Sequence, residues 1–318
     1  MAKEKDLKII TGNSNADFAR NVCRNLGSKL VNADVSTFSD GEISVSLYET
    51  VRGADVFIIQ STCSPINNHL MEMLILVDAC KRASASRITT VMPYFGYARQ
   101  DRKAKSRDPI SAKLVANLIM SAGTDRVLTM DLHAAQIQGF FDIPVDNLLG
   151  VPLFAKYYRT KFGGDMDNTM VVSPDIGSVA RARAFALDLG LGLAIIDKRR
   201  EEANHAEVVN IIGSVEGKRI ILFDDMVDTA GSLCEAAMKL IDSGGVKEVY
   251  ACASHGVLSG KAIERIEKSP IKEVVFTDTI PKREDYSGDK ISYLTAAPLF
   301  AEAIQRTFDE VSISTLFR

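Results

Sequence analysis

Two adjacent carboxylates, Asp224 and Asp225, close an apolar run at 220–223, and the small residues Thr229-Ala230-Gly231-Ser232 follow Asp228. The apolar run reads as a buried strand, and the stretch after 232 reads as a helix. Both carboxylates then stand at a strand end, with a small-residue loop feeding a helix N-terminus. Open α/β sheets bind ligands outside the carboxyl ends of their strands. The 229–232 loop can aim backbone N–H groups and two hydroxyls at a phosphate, and the helix N-terminus adds favourable partial charge. Asp224 and Asp225 repel a phosphate and suit sugar hydroxyls or a metal instead. A phosphate cradle beside hydroxyl acceptors describes a sugar phosphate. The same residues also read as an acidic turn that caps a helix through Asp228.

Other groups have chemistry of their own. Residues 99–107 hold the bases Arg99, Arg102, Lys103, Lys105 and Arg107 against one acid, Asp101. A triphosphate needs such cations, and Arg presents a planar fork to phosphate oxygens; a solvated basic loop has the same composition. Phe38, Asp40 and Glu42 alternate on a turn that Gly41 permits. A base can stack on the ring while the carboxylates accept from its exocyclic amine, although Ser-Asp-Gly is also a common turn. His133 follows the apolar run 127–130, and a lone histidine is more often structural. Lys198, Arg199 and Arg200 follow 193–196, and strand-end charges are usually solvated.

The 224–232 segment resembles the phosphoribosyl-pyrophosphate loop shared by type I phosphoribosyltransferases and ribose-phosphate pyrophosphokinases. Other stretches select the second family. Phe38-Ser39-Asp40-Gly41-Glu42 is similar to its adenine-binding turn, and Pro93-Tyr94-Phe95-Gly96-Tyr97-Ala98-Arg99-Gln100-Asp101-Arg102 to its ATP loop. Asp131-Leu132-His133-Ala134 is similar to the segment with its metal histidine. Ser173-Pro174-Asp175 and Lys198-Arg199-Arg200 are similar to its diphosphate loop and its flexible catalytic loop. The blocks run in order over almost the whole chain, and they resemble class I, the ATP-using, phosphate-activated branch.

The resemblance implies an enzyme that moves the β,γ-diphosphoryl group of ATP to the 1-hydroxyl of ribose 5-phosphate, giving 5-phosphoribosyl 1-diphosphate and AMP. It implies Lys198 and Arg200 as catalytic residues, and Phe38, Asp40, Gly41, Glu42, Arg99, Gln100 and Asp101 at ATP. His133 and Asp175 are implied at Mg2+. Magnesium prefers oxygen ligands and waters, so His133 enters on resemblance and not on coordination chemistry. Arg200, Asp224, Asp225, Asp228, Thr229, Ala230, Gly231 and Ser232 are implied at ribose 5-phosphate. The family further implies a homohexamer built from dimers, with inorganic phosphate and ADP as effectors between subunits. Arg52, Ser312 and Ser314 are the implied contacts there.

Some positions depart from the family pattern. Glu201-Glu202 stand where the triad often continues with proline and a further base, Gly177-Ser178 where two glycines are common, and Ser232 where Thr is often found. Two alternatives stay open. A non-catalytic synthetase-associated regulatory subunit predicts lost catalytic residues or an insertion in the flexible loop. A phosphoribosyltransferase would need one such domain and neither the 38–42 nor the 99–102 block.

The elements that must position these residues repeat along the chain. Apolar runs at 8–11, 55–60, 87–92, 126–130, 169–172, 193–196, 219–223, 249–253 and 274–277 predict strands. Helical patterns follow most of them; at 66–83, Leu70, Leu74 and Val77 share one face. Ser64-Pro65 and Asp108-Pro109 read as cap-plus-proline helix starts. This alternation implies right-handed βαβ units and parallel sheets. With the resemblance, the expected fold is α/β: two pseudo-repeated domains of the type I phosphoribosyltransferase-like fold, each a mainly parallel sheet flanked by helices. The expected division is an ATP-side domain over 1–147, a phosphoribosyl/diphosphate domain over 148–300, and a tail over 301–318 that returns to the first domain.

Composition bounds the alternatives. The chain has 318 residues, 46% hydrophobic, with 38 Lys and Arg against 41 Asp and Glu, a net charge of −3. That is ordinary for a soluble globular protein and excludes a disordered chain. It also disfavours a general nucleic-acid binder, which usually has a basic excess. No apolar run approaches the ~20 residues of a membrane span, and residues 1–8 lack the apolar core of a signal peptide. The five cysteines form no C-x-x-C pair and read as buried thiols in a reducing compartment. The cytoplasm is therefore the expected location. No P-loop, dinucleotide fingerprint, H-E-x-x-H or G-x-S-x-G string occurs.

Overall fold

The structure is a computed structural model and describes residues 6–163, 165–199 and 208–317. The chain runs β1 (Leu7–Thr11), α1 (Ala16–Leu26), β2 (Ala33–Thr37), β3 (Ile43–Leu47), β4 (Asp55–Ile59), α2 (Ile66–Arg82), β5 (Arg87–Met92), α3 (Ser111–Ala122), β6 (Arg126–Met130) and β7 (Val145–Leu148). It continues with α4 (Val151–Phe162), β8 (Thr169–Ser173), α5 (Val179–Leu189), β9 (Gly192–Arg199), β10 (Val208–Ile212), β11 (Arg219–Val227) and α6 (Gly231–Asp242). The last elements are β12 (Glu248–Gly256), α7 (Ala262–Lys268), β13 (Ile271–Thr277), β14 (Ile291–Leu294) and α8 (Ala297–Phe308).

These elements form two compact units. The first runs through Leu149 and takes in Asp278–Pro281 and Thr295–Arg318; the second holds Gly150–Thr277 and Lys282–Leu294. Unit 1 has a five-stranded parallel sheet, ordered β1-β4-β5-β6-β7, and a separate antiparallel β2-β3 hairpin. β4 is buried along its length, as a strand covered on both faces must be. α8 lies in this unit, where Phe300 meets Phe18 of α1 edge to face with ring centroids 5.3 Å apart.

Unit 2 has a seven-stranded sheet, ordered β10-β9-β8-β11-β12-β13-β14, in which only the β10–β9 pair is antiparallel. Successive side chains of a strand face opposite sides, and β11 shows the consequence. Ile220 and Leu222 enter the core with Leu233, Ala236 and Leu240 of α6. Ile221 and Phe223 enter the core with Phe154 of α4 and Phe185 of α5. Both sheets are thus mainly parallel and flanked by helices, as the alternation of runs predicts. The five cysteines are unbridged and buried, and burial pushes Cys63 up to about 11 and Cys80 to about 12.

Several local expectations need correction. α2 starts at Ile66 with Pro65 as its N-cap, so Ser64 caps nothing. α3 starts at Ser111, and the Asp108 carboxylate instead accepts from the Lys105 backbone N–H at 2.7 Å. β11 continues past Phe223 to Val227, because pairing with β12 continues through Met226–His255 and Val227–Gly256. Asp224 and Asp225 therefore lie within the strand rather than just beyond it.

Candidate functional site

The richest constellation lies in unit 2, where β11 meets the first turn of α5. Asp224 Oδ1 accepts from the Ser178 hydroxyl at 2.7 Å and from the Asp225 backbone N–H at 2.8 Å, with Arg181 Nη1 at 3.4 Å. Asp225 is 1% exposed and takes Arg181 Nη1 on Oδ1 at 2.7 Å. The two carboxylates thus have different surroundings: Asp225 is buried in an ion pair, while the Asp224 side chain is 21% exposed. Burial pushes the Asp224 carboxyl above its usual range and the Asp225 charge adds to this, while the Ser178 hydroxyl opposes it.

Asp175 joins the same cluster through the backbone. Its Oδ1 accepts from the Ser178 N–H at 2.8 Å, and its carbonyl accepts from the Ser173 hydroxyl at 2.7 Å. The 174–178 loop is thereby tied to β8 on one side and to β11 on the other.

Beyond Val227 the chain enters the predicted small-residue loop. Ala230 is the N-cap of α6 and sits in the left-handed region at φ 58°, which turns the loop directly into the helix. The first amides of a helix have no intrahelical acceptor, so this end presents N–H groups beside the Thr229 and Ser232 hydroxyls. Arg265 Nη1 donates to the Thr229 carbonyl at 2.7 Å, and the Ser259 N–H donates to the Asp228 carbonyl at 2.9 Å. These bonds fix the loop from its α7 side. Lys198 lies near the end of β9, but its side chain falls outside the described residues, as do the whole of Arg200 and Glu201-Glu202.

Unit 1 holds the other candidates. Phe38 to Glu42 form the tip of the β2-β3 hairpin, closed by Phe38 N–H to the Glu42 carbonyl at 2.7 Å. Gly41, at φ 96°, takes the conformation that a side chain would resist. Asp40 Oδ1 accepts from the Glu42 N–H at 3.1 Å, and Phe38 is 58% exposed at this tip. Arg99 and Gln100 are exposed, and the Gln100 side chain accepts from the Ser111 hydroxyl at the start of α3. Asp101 accepts from Gln136 at 2.8 Å. The rings beneath this loop pack inward: Phe95 is buried against Phe141, and Tyr94 is buried as well. His133 is exposed just past β6.

The effector candidates also lie in unit 1. Arg52 Nη1 donates to the Ser84 hydroxyl at 3.1 Å. The Ser312 and Ser314 hydroxyls stand 2.7 Å apart. They line a cleft of about 450 Å³ with Arg87 and Arg126. Arg52 does not line that cleft, so the structure does not bring the three together at one described cavity.

Sequence reasoning missed Arg181. Nothing in its spacing links it to a carboxylate 44 residues later. Ser178 was visible only as a departure from paired glycines. A mainly parallel sheet whose β11 carries a carboxylate pair near its end, ahead of a small-residue helix N-terminus, defines an α/β protein with acidic and amide groups gathered at one side of the sheet. Similarity to known proteins is more specific. The N-terminal domain of ribose phosphate pyrophosphokinase matches residues 7–123, and the phosphoribosyl synthetase-associated domain matches residues 201–318. The ribose-phosphate pyrophosphokinase of Caldanaerobacter subterraneus subsp. tengcongensis is 63% identical, over 98% of this chain and 98% of that one. The enzyme of that name from Clostridium perfringens is 60% identical over 99% of this chain and 98% of its own length. The crystal structure of phosphoribosylpyrophosphate synthetase from Mycobacterium smegmatis is 41% identical and superposes with a TM-score of 0.91, covering 96% of this chain and 100% of that one. The chain belongs to the ribose-phosphate pyrophosphokinase family.

Proposed function

We propose that the chain is a ribose-phosphate diphosphokinase. It transfers the β,γ-diphosphoryl group of ATP to the 1-hydroxyl of ribose 5-phosphate, giving 5-phosphoribosyl 1-diphosphate and AMP. The observation that carries this reading is the junction of two chemistries on one strand end in unit 2. The 228–232 loop at the N-terminus of α6 suits a phosphate, and the Asp224 carboxylate four residues upstream suits a sugar hydroxyl. The similarity to the ribose-phosphate pyrophosphokinases extends over both units.

In this reading the 5-phosphate sits on the amides of the loop and on the Thr229 and Ser232 hydroxyls. Asp224 accepts from a ribose hydroxyl, and buried Asp225 acts by holding Arg181. The sugar 1-hydroxyl oxygen attacks the β-phosphorus in line, its proton passes to solvent, and AMP leaves with the bridging oxygen. Such a transfer is mostly positioning, with cations aimed at developing charge; Lys198 and Arg200 supply those cations. Arg99 and Gln100 hold the triphosphate side with Asp101 beside them at ATP, and the exposed Phe38 ring stacks on adenine while Asp40 and Gly41 shape the turn and Glu42 accepts from the base.

Mg2+ fits the donor set in part. It binds through one or two carboxylates and keeps its remaining positions for water and phosphate oxygens. Asp175 Oδ2 is such a hard donor, since Oδ1 is engaged by Ser178. His133 is the less suited ligand and rests on family resemblance. The ion would neutralise charge on the phosphate oxygens.

Arg52, Ser312 and Ser314 are proposed as effector contacts for inorganic phosphate and ADP, the enzyme as a homohexamer, and its location as the cytoplasm. Among the described residues no helix is long and apolar enough to cross a membrane. The experiment that tests the reading is AMP formation from ATP with Mg2+ and phosphate present. AMP that appears only when ribose 5-phosphate is added is expected; no AMP under those conditions contradicts it.

A further inference from the structure

Three donors converge on a single oxygen of Asp224. The Ser178 hydroxyl at 2.7 Å, the Asp225 backbone N–H at 2.8 Å and the Arg181 guanidinium at 3.4 Å all approach Oδ1. None of them approaches Oδ2. A carboxylate free to rotate about its terminal bond offers either oxygen, because that torsion is broad and roughly two-fold. Here the donors remove that freedom. One oxygen is consumed by the protein, and the other is presented as an acceptor on a side chain that is 21% exposed.

From this convergence we infer that Ser178 and Arg181 are positioning residues for the sugar substrate: they fix the Asp224 carboxylate so that Oδ2 alone accepts from a ribose hydroxyl. The inference rests on the diphosphokinase reading and goes beyond it, since neither residue belongs to the phosphate loop or to the catalytic cations.

The two residues act from one element. Ser178 is the N-cap of α5, and Arg181 lies one turn on. Ser178 uses both of its donors: the hydroxyl reaches Asp224, and the backbone N–H reaches Asp175 Oδ1 at 2.8 Å. The same Arg181 Nη1 that approaches Asp224 at 3.4 Å donates to Asp225 at 2.7 Å, so the buried Asp225 carboxylate anchors it beside Asp224. Side-chain hydrogen bonds of this kind are what keep a binding group in its productive orientation. A glycine at 178 would keep the backbone bond to Asp175 but lose the hydroxyl, so the aiming contact comes with the serine that departs from the paired glycines. In this chain the sugar acceptor and the loop bearing Asp175 are mechanically joined through one side chain.

The test is steady-state kinetics on the full-length enzyme, with ribose 5-phosphate and ATP varied separately and thermal midpoints recorded for each variant. Ser178→Ala removes one charge-assisted donor and is expected to raise KM for ribose 5-phosphate about tenfold. KM for ATP and the thermal midpoint should stay at their wild-type values, which a general structural defect would not allow. Ser178→Thr keeps the hydroxyl and should restore KM for ribose 5-phosphate. If its added methyl unfolds this buried turn, the Arg181 pair gives the second readout. Arg181→Gln should raise KM for ribose 5-phosphate, and Arg181→Lys should lie between it and wild type. An unchanged KM for ribose 5-phosphate in both Ser178→Ala and Arg181→Gln overturns the inference. So does a parallel shift of both KM values together with a lowered thermal midpoint in Ser178→Ala; Arg181→Gln also leaves buried Asp225 unpaired, so its own thermal midpoint is expected to fall. A wild-type enzyme that forms no AMP overturns the underlying function instead, so the two failures are distinguishable.

Discussion

Arg181 Nη1 stands 2.7 Å from Asp225 Oδ1, and the carboxylate it meets is almost wholly removed from solvent. This pair ties α5 to the middle of the seven-stranded sheet. Breaking a buried pair by deleting one partner leaves the other charge uncompensated. Asp225→Ala is therefore expected to destabilise unit 2 by about 3 kcal/mol, the low end of the range for buried pairs because Arg181 keeps some solvent contact. Asp225→Asn retains an acceptor and should cost less. Urea unfolding followed by near-ultraviolet circular dichroism checks the order of the two.

The edge-to-face contact of Phe18 and Phe300 makes α8 an integral part of unit 1. Both rings are buried. Phe300→Ala removes the ring and leaves a cavity against α1, at an expected cost of about 3–5 kcal/mol. A thermal midpoint within a degree of wild type would show that α8 contributes little to this unit.

Glu273 supplies a pH-dependent contribution in unit 2. Burial raises its pKa, but hydrogen bonds from Lys161 at 2.7 Å, Ser292 at 2.8 Å and Tyr157 at 2.8 Å outweigh that and hold it below the usual carboxylate range. A depressed folded-state pKa stabilises the protein fully above the unfolded value, about 4.3 for Glu, and that contribution is lost as pH falls through the folded value. Glu273→Gln should therefore be less stable than wild type at pH 7, and the gap should narrow as the pH drops below about 4. Unfolding midpoints across that range measure it, and a gap that widens on acidification contradicts the assignment.

Much of this fold was legible because continuous apolar runs mark buried strands. β4, β5, β12 and β13 read that way. The β2-β3 hairpin did not, since Ala33–Thr37 and Ile43–Leu47 are only partly buried and interleave Ser and Asp with their apolar residues. β7 and β14 lie at sheet edges, where little apolar surface is needed, and they too had no clear signal; the apolar Val208–Ile212 of β10 did carry one, which sequence reasoning missed. The proline-based helix starts failed for a different reason: α2 takes Pro65 itself as its N-cap, and α3 begins only at Ser111, so the Asp108 carboxylate closes a turn on the Lys105 N–H instead. At the site, the phosphate loop and carboxylate pair were legible from residue type and order. Arg181 was not, because its role depends on α5 and β11 being adjacent, and that adjacency follows from sheet order rather than local pattern.

Lys198 lies at the end of β9 and is assigned to the transferring phosphoryl oxygens. Loss of one preorganised donor to developing charge costs about 10²–10³ in turnover. Lys198→Ala should thus lower kcat at least about a hundredfold, with the thermal midpoint unchanged. Near-normal turnover would remove Lys198 from the mechanism.

Ser312 and Ser314, proposed above as effector contacts, line a cleft with Arg87 and Arg126. Ser312→Ala combined with Ser314→Ala should weaken both phosphate activation and ADP inhibition while ribose 5-phosphate and ATP still react. Titrations of rate against phosphate and against ADP that superpose on those of wild type would exclude both serines from the effector site.

The central claim concerns which phosphorus is attacked. Phosphorus-31 NMR of a reaction of ATP, Mg2+, phosphate and ribose 5-phosphate reads this directly. Attack at the β-phosphorus yields AMP and a diphosphate joined to the sugar 1-oxygen, with both signals growing in step. Appearance of ADP with ribose 1,5-bisphosphate, or no ribose 5-phosphate-dependent product at all, would contradict it.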